Sequence, residues 1–391
     1  MNKNWRASTR AQLKQLGKSF ITRLVPPYVL QGIQKQEEQP DQYPKLPFAT
    51  FVPFMMATLL WSHQQPSTRV IAGHSRNPIL QQVSDIGPVS HQAVADRMRT
   101  VSHTGLRQLI DVLVTTVRHS TGRKLKNGDL LKLFDCTTIS TSALLYDWAA
   151  PNGEHMAVRI ALGIDAQLDC PYCLLDASET TSDNSVFPEI VQHLKAGETL
   201  VIDAGFTILA DFRTIQEKGA YWVTRMANIY HIEVEHVYEL PRRSEQVHEG
   251  WLLQSDSRIL IGTSRSGGPL RVRQVVWLHP QTGDIWTLFT NHFDWKPKRI
   301  LQAYQARWRI EVHIRWLKSQ LKLTHLPSQD PTGVMAFFLL MTLAWLFLRL
   351  FYAQQGSRAF HDFSCRDALL AFQLALIKGF IQMYLDNLTN N

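Results

Sequence analysis

The feature that most limits the possible folds is a series of short apolar segments in the middle of the chain. Each is rich in β-branched or aromatic residues and is bounded by turn-forming residues, which is typical of strands. The predicted strands are LLKLFD (130–135), MAVRIALGID (156–165), CPYCLLDA (170–177), ETLVIDAG (198–205) and AYWVTRM (220–226). Helices are predicted over SVFPEIVQHLKAG and ILADFRTIQEKG, before the fourth and fifth strands. Three strands followed by helix, strand, helix and strand predict an α/β fold with a mixed sheet and helices on its faces.

The flanking regions have a different texture. Helical periodicity dominates from Phe51 to about Arg118 and again from Lys298 onward. Between them, residues 230–290 hold short strands and turns such as SGGP and PQTGD, with no long helix. This stretch predicts a β-rich insertion in the α/β region.

One pair of predicted helices lies in GPVSHQAVADRMRTVSHTGLRQLIDVLV. Ser90 and Ser102 are the candidate N-caps, and Arg97 and Arg99 fall at the end of the first helix. Two short helices joined this tightly are compatible with a helix-turn-helix that contacts DNA through these arginines. Many helix bundles contain such a pair as well, so both interpretations stay open.

The N-terminal segment carries a basic stripe. Arg6, Arg10, Lys14 and Lys18 recur every four residues, so on a helix they share one face. Either this face lies along DNA phosphates or it is an ordinary solvated surface. The formal net charge of +8 suits a polyanionic partner without identifying one.

Cysteine use and hydropathy bear on the compartment. Four cysteines in 391 residues are too few for a disulfide scaffold and predict a reducing cytoplasm. CPYC (170–173) matches a dithiol motif in letters, but it enters a strand instead of opening a helix, so redox chemistry is not predicted. The run VMAFFLLMTLAWLFL (334–348) is short for a membrane span and predicts a buried core helix.

Two lone carboxylates follow predicted strands. Asp135 ends LLKLF and Asp203 ends ETLVI, with Gly205 allowing a sharp turn after the second. A single aspartate at a strand end is usually a turn or cap residue. Strands one and four of this pattern can lie side by side, however, and two-metal phosphoryl transfer needs clustered carboxylates.

A third carboxylate lies in YQARWRIEVHIRWLKSQLKL (304–323), where Glu311 is the one acid among five cations. On a continuous helix Tyr304, Arg307, Glu311 and Lys318 share one side. Arg315 and Lys322 fall on that side too, beside a separate apolar face, and are further candidate DNA contacts. An alternative is a surface ladder of ion pairs from Arg307 through Glu311 to Arg315, and the spacing alone does not exclude it.

These residues resemble a known signature. Tyr304, two residues, Arg307, three residues, Glu311, six residues and Lys318 match the Tyr-Arg-Glu-Lys signature of a group of bacterial insertion-sequence DDE transposases. FDCTTIS and VIDAGF resemble the family's two aspartate motifs, and YWVTRM and TLFTN resemble its connecting strands. The resemblance covers residues 130 to 325 well.

The resemblance implies an RNase H-like mixed-sheet catalytic core (126–228 and 293–391, the latter with C-terminal helices). It also implies a β-rich insertion (229–292) and an N-terminal helical DNA-binding region (1–125). Asp135, Asp203 and Glu311 would bind two Mg²⁺ ions, with Mn²⁺ as a substitute. Tyr304, Arg307 and Lys318 would hold the DNA backbone.

Some members of the group stack a flipped base on a tryptophan of the insertion, and Trp286 lies at a comparable place. A strand tryptophan in the core is the equal alternative. The implied partners are double-stranded DNA, as terminal inverted repeats and target, and a second copy of the chain on paired ends. The implied location is the cytoplasm, in association with the nucleoid. Two rival functions remain: an inactive DNA-binding descendant, and a nuclease without strand transfer.

Overall fold

The computed structural model describes residues 27–37, 46–62, 64–120, 130–141, 146–152, 155–176, 183–206, 208–226, 231–242, 246–263, 266–353 and 365–389. The predicted basic stripe of Arg6, Arg10, Lys14 and Lys18 lies outside these residues. The chain divides into two compact units. The helical unit comprises Met1–Arg123 and Arg315–Asn391, and the sheet unit comprises Lys124–Ile314.

The first part of the helical unit is helical throughout its described residues, as predicted. Its helices are α1 (Pro27–Glu37), α2 (Phe48–Trp61), α3 (Thr68–His74), α4 (Pro78–Ser84), α5 (His91–Thr100) and α6 (His103–Ser120). Both predicted N-caps are confirmed. Ser90 Oγ accepts a hydrogen bond from the Ala93 amide at 3.2 Å, and Ser102 Oγ accepts one from the Gly105 amide at 2.9 Å.

The apolar run of the sequence forms the central helix of this unit. It lies in α11 (Pro331–Ala353), which is long and apolar enough to cross a membrane by length and composition alone. The apolar window of that helix is entirely buried against α2, α5, α6 and a last helix, α12 (Cys365–Thr389). The prediction of a buried core helix is confirmed.

The described strands of the sheet unit form one mixed sheet. They are β1 (Leu131–Thr141), β2 (Ala150–Asn152), β3 (His155–Asp165), β4 (Cys170–Asp176), β5 (Thr199–Val201), β6 (Tyr221–Arg225), β7 (Ile232–Val237), β8 (Val247–His248), β9 (Trp251–Ile261), β10 (Leu270–His279) and β11 (Asp284–Thr290). The order is β2-β3-β1-β5-β6-β11-β10-β9-β7, with β4 also on β3 and β8 also on β9. β5 and β6 run parallel to β1 and to each other, and the other pairs are antiparallel.

The insertion is β-rich, and its strands extend the same sheet. β11 pairs with β6, and β10, β9 and β7 follow outward. The backbone hydrogen bonds of the insertion are therefore continuous with those of the central strands, which fixes its inner edge firmly.

Two helices pack on the sheet through aromatic side chains. They are α7 (Phe187–Gln192) and α8 (Leu209–Glu217). Phe187 and Phe212 have ring centroids 5.4 Å apart, and Phe212 lies 4.4 Å from Trp222 of β6. All three side chains are fully buried, and each contributes about 2–3 kcal/mol of apolar burial.

The predicted end of the first strand, at Asp135, is wrong. β1 continues past Asp135 to Thr141, because β3 pairs with it along this whole length and Asp135 lies opposite Leu162. On its other side β1 loses its partner early, since β5 pairs only as far as Val201. Asp135 therefore sits where a neighbouring strand departs, not where its own strand stops.

The segment predicted as one helix from 304 to 323 is broken. Its first residues belong to α9 (Pro297–Gln305), and α10 (Trp308–Ser319) begins after a turn at Ala306 and Arg307. The amide of Arg307 donates to the Tyr304 carbonyl at 3.0 Å, a tight three-residue turn. The prediction of one continuous helix is therefore wrong, but Arg307 still contacts Tyr304 on one side and Glu311 on the other, because the turn keeps the three residues close together.

Candidate active site

The two aspartates are level with each other on adjacent parallel strands. The register pairs Leu133 of β1 with Val201 of β5, and each chain reaches its aspartate two residues later. Neighbouring strands lie about 4.8 Å apart, so Asp135 and Asp203 lie close together at the C-terminal end of β5. The prediction that the two strands lie side by side is confirmed.

The position of Asp203 is fixed by its neighbours in the sheet. Its Oδ1 accepts a hydrogen bond from the Gly205 amide at 2.9 Å, which closes the turn after β5. Thr224 of β6 is fully buried, and its hydroxyl lies 2.8 Å from the Asp203 carbonyl oxygen, to which it donates. The backbone around this carboxylate is thus held from two directions.

A pair of buried aromatic rings packs next to the backbone of both aspartates. Phe134 precedes Asp135, and Phe206 follows Asp203 by three residues. Their ring centroids are 5.8 Å apart in an edge arrangement, and Phe206 also packs on Phe187 of α7 at 5.1 Å. Successive residues of a strand face opposite sides, so the core packing of Phe134 turns Asp135 to the other face.

Glu311 lies in the first turn of α10 and forms an ion pair with Arg307. The Arg307 Nη2 lies 2.5 Å from Glu311 Oε1, and the two side chains are 19% and 26% exposed. The neighbouring Arg309 pairs with Asp169 in the turn between β3 and β4. The sequence prediction did not include Arg309, whose partly exposed ion pair links the first turn of the helix to the turn between β3 and β4.

The three carboxylates influence one another. Burial raises the pKa of Asp135 from 3.8 to about 6, with a further increase from the charge of Asp203 and a smaller one from Glu311. Arg307 and the Cys136 amide act in the opposite direction. A carboxyl group that resists ionisation beside two other acids is a common property of catalytic and cation-binding sites.

An aromatic and cationic cluster lies beside Asp203. Tyr304 is 5% exposed, and burial raises the pKa of its phenol, with Asp203 among the charges that act on it. Trp286 is half-buried, with its ring centroid 5.3 Å from Tyr304. The Arg225 guanidinium lies 5.9 Å from the Trp286 centroid. The sequence prediction missed Arg225, although its place at the end of β6 was a signal for it.

The remaining predicted DNA contacts fall in several places. Arg315 is exposed on α10, and Lys318 lies in its last turn. Lys322 comes after the helix, with a left-handed φ of 57°, so its predicted place on the helical face is wrong. Arg99 is exposed and paired with Asp96, and its role stays a prediction.

Arg97 requires a correction. Its side chain is 1% exposed, and its guanidinium lies 5.7 Å from the centre of the Phe51 ring. A side chain enclosed in the helical core cannot reach a phosphate, so the prediction that Arg97 contacts DNA is wrong.

The three carboxyl groups supply oxygen ligands of the kind that bind metal ions. Among the described residues no three His, Cys, Asp or Glu side chains are gathered closely enough to hold one ion as they stand. The donor set itself fits a hard divalent cation, which prefers carboxylate oxygens. Burial raises the pKa of Asp135 to about 6, and the negative charges of Asp203 and Glu311 add to the increase. Asp135, Asp203 and Glu311 therefore fit such an ion in the chemistry of their oxygens, and they lie near enough for Asp203 and Glu311 to act on the charge of Asp135.

The chain is similar to several known proteins. It is 24% identical over 277 residues to a probable transposase for insertion sequence element IS5377 from Geobacillus stearothermophilus, covering 69% of this chain and 71% of that one. It is 25% identical over 314 residues to a putative transposase for insertion sequence element IS4SA from Synechocystis sp., covering 79% and 83%.

Two further similarities are weaker or shorter. A putative transposase, y4zB, from Sinorhizobium fredii is 26% identical over 224 residues, which is 56% of this chain and 60% of that one. The cryo-EM structure of a piggyBac transposase synaptic complex with hairpin DNA superposes with a TM-score of 0.44 at 9% identity, covering 95% and 80%.

A family model supplies the assignment. The model described as the transposase DDE domain matches residues 126–347, more than half of the chain. This segment contains all three clustered carboxylates and the ion pair of Glu311 with Arg307. Membership implies an enzyme that depends on divalent metal ions. The chain belongs to the transposase DDE domain family, whose members are enzymes of DNA transposition.

Proposed function

We propose that this enzyme cleaves DNA at the ends of its own insertion sequence and joins the freed ends to target DNA, with Asp135, Asp203 and Glu311 as the metal-binding carboxylates. The observation that carries the assignment is the level placement of the two aspartates on β1 and β5, with Glu311 close enough to act on Asp135. Magnesium is the proposed metal, as two ions, with manganese as a substitute.

The strand arrangement supports an RNase H-like core. Three antiparallel strands, β4, β3 and β1, are followed by two strands parallel to β1, in the order β4-β3-β1-β5-β6. This is the arrangement that the resemblance to insertion-sequence transposases implies. The strands β7 to β11 then fill the interval before α10, where that group carries its insertion.

Each group in the site has a separate task. The carboxylates hold the metals, which when bound activate the attacking oxygen and stabilise the leaving one. Arg307 presents a planar fork suited to a phosphate, and Lys318 supplies a point charge further along α10. Tyr304 is buried against Arg307 and positions its guanidinium, which is the part of its predicted role that the geometry supports.

Trp286 is proposed as a stacking platform for an unpaired base. Its ring is half-buried and lies between Trp251, at 4.2 Å, and Tyr304, so it belongs to a cluster next to the carboxylates. Base stacking on an aromatic side chain is worth about 1–3 kcal/mol. If Trp286→Ala leaves every cleavage intermediate unchanged, the residue is a structural tryptophan only.

The proposed partners are the terminal inverted repeats, the target DNA and a second copy of the chain on paired ends. The names of the relatives support an insertion-sequence origin, and the net charge of +8 suits a DNA partner. The proposed location is the cytoplasm, in association with the nucleoid. The helical unit is the proposed site of end binding, with Arg99 as its exposed candidate contact.

The test is incubation with the element's own terminal repeats and Mg²⁺. We expect end cleavage followed by joining to target DNA, and loss of both with Asp135→Asn, Asp203→Asn or Glu311→Gln while end binding persists. Cleavage without joining would identify a nuclease, and binding without cleavage would identify an inactive descendant. A variant that still cuts would show that its carboxylate was wrongly assigned.

A further inference from the structure

We propose that Arg307 is an exchangeable counter-ion, which holds Glu311 in the metal-free enzyme and releases it when a divalent cation binds. The released guanidinium then becomes available to a DNA phosphate, so metal loading and phosphate binding assist each other. This inference rests on the proposed function in one respect, the assignment of Glu311 as a metal ligand.

The first support is the contact itself. Arg307 Nη2 and Glu311 Oε1 are 2.5 Å apart, a short charge-assisted hydrogen bond between two mostly buried side chains. Arg307 lies in the turn before α10, and Glu311 lies in its first turn. The pair is therefore held by the backbone on both sides and occupies an oxygen that a metal ion would need.

The second support is an unsatisfied donor. The Nε of Arg307 is buried and has no hydrogen-bond acceptor among the residues that the structure describes. A guanidinium carries five N–H donors in a fixed plane, and a buried donor without an acceptor is costly. A phosphate oxygen is the kind of acceptor that this geometry lacks.

The third support is competition between two cations. In the described part of the chain no three acidic or other ligating side chains are gathered around one point. Of the three carboxylates, Glu311 is the one that is bound to an arginine, Arg307. A divalent ion and a guanidinium repel each other, so both cannot fully engage one carboxylate. A metal ion and a phosphate then both favour the state in which Arg307 has left Glu311. Each must therefore raise the affinity for the other by the same factor.

The experiment is a titration of the full chain with Mn²⁺ without DNA, followed by electron paramagnetic resonance of the free ion. Arg307→Met should bind Mn²⁺ at least about fivefold more tightly than the wild type, the lower end of typical site coupling. The matched control is Arg309→Met, which removes the same charge two residues away from a pair with Asp169. Its affinity should stay within about twofold of the wild type. Unchanged or weaker binding by Arg307→Met would overturn the proposal, because Arg307 would then be positioning Glu311 for the metal.

A double-mutant cycle separates exchange from simple repulsion. If Arg307 competes for Glu311, the gain from Arg307→Met should vanish in the Glu311→Gln background. A gain that persists there contradicts exchange and indicates repulsion through space. Should Arg307→Met fail to fold by circular dichroism, Arg307→Lys takes its place. The lysine keeps the charge and removes the planar fork, and it must then bind Mn²⁺ more tightly than the wild type for the proposal to stand.

The outcomes distinguish this proposal from the proposed function. A wild-type chain that binds no Mn²⁺ contradicts the proposed function itself. Wild-type binding without any gain in Arg307→Met contradicts counter-ion exchange alone and leaves the metal-binding carboxylates in place.

Discussion

At the scale of single residues, Asp135 shows how a partly buried carboxyl group affects stability. Burial and the neighbouring acids raise the pKa of Asp135 to about 6, above its ordinary value of 3.8. The folded enzyme therefore holds this proton to a higher pH than the unfolded chain does. The resulting contribution to stability is fully present below pH 3.8 and is lost as pH rises through about 6.

The corresponding prediction concerns the metal-free enzyme. Asp135→Asn should raise the free energy of unfolding at pH 7.5 by about 1–3 kcal/mol, since a shift of one pKa unit is worth about 1.4 kcal/mol. It should also flatten the fall in stability between about pH 4 and 6. Urea denaturation in EDTA, from about pH 4 to pH 7.5, measures both effects. Glu233→Gln, at an exposed site on β7, is the control. A less stable Asp135→Asn variant at pH 7.5 would contradict the argument.

Arg225 is a second prediction at this scale. Its guanidinium faces the Trp286 ring, and its charge acts to lower the pKa of the Tyr304 phenol. No ion pair to Arg225 is found among the described residues. We expect Arg225→Ala to weaken binding to terminal-repeat and random DNA alike by about tenfold, because a phosphate contact carries no base sequence. Fluorescence anisotropy measures the affinity. Arg271→Ala removes a cation already paired with Glu235 and should have little effect. Equal losses in the two variants would mean that only net charge matters.

At the scale of elements, the loop after β5 depends on one aromatic anchor. Phe206 is 1% exposed between Phe134 and Phe187 and ties the Asp203 turn to the core. Phe206→Ala should destabilise the enzyme by about 3–5 kcal/mol, the usual cost of an emptied aromatic site. Phe206→Leu should cost less and lower the cleavage rate more than the affinity for DNA. Thermal denaturation and single-turnover cleavage check the two effects. A normal rate with Phe206→Leu would show that the turn does not need this ring.

The end of α10 allows a separate prediction. Lys322 has a left-handed φ of 57°, and the Leu323 amide donates to the Leu317 carbonyl at 3.2 Å, which caps the end of α10. Lys322→Gly should therefore stabilise the enzyme by up to about 1 kcal/mol, because glycine adopts this conformation without steric cost. If Lys322 contacts DNA, the same variant should bind DNA more weakly. Lys322→Asn tolerates the same φ and serves as the comparison. A loss of stability in Lys322→Gly would argue against a cap at this position.

At the scale of the whole molecule, one sheet carries both the carboxylates and the insertion. The hydrogen-bonded path from β1 through β5, β6 and β11 joins Asp135 and Asp203 to the strand of Trp286. Trp286 and Arg225 are thus placed by the same backbone ladder as the aspartates, and Tyr304 packs against Trp286 from α9. This continuity explains how residues that lie far apart in sequence can form one site.

Net charge leads to a prediction for the complete enzyme. With a formal charge of +8, its affinity for DNA should fall linearly with the logarithm of salt concentration, because bound phosphates release counterions. Arg307→Ala should reduce the slope by about 1 and weaken binding to all sequences similarly. Anisotropy titrations between 50 and 200 mM salt, roughly the range over which such effects are large, measure the slope. An unchanged slope would show that Arg307 does not contact a phosphate.

The sequence by itself determined the kinds of elements, and it supplied the carboxylates that are proposed to bind metal. Strand periodicity located β1, β3, β4, β5 and β6, and N-cap chemistry located the starts of α5 and α6. These signals are local, because side-chain alternation and capping involve residues within a few positions of each other. The grouping of Asp135, Asp203 and Glu311 came from the resemblance to insertion-sequence transposases, and it stays a prediction.

Only the tertiary structure decided the boundaries and the partners. Asp135 lies within β1 because β3 extends beyond it, and α9 and α10 are separated by a turn that helical periodicity did not predict. Arg97 is buried because α5 turns it toward Phe51. The pairing of Arg307 with Glu311 was one of two sequence interpretations, and the structure contains it together with the acidic cluster. Strand pairing and core packing join residues that are distant in the chain, so no local pattern contains that information.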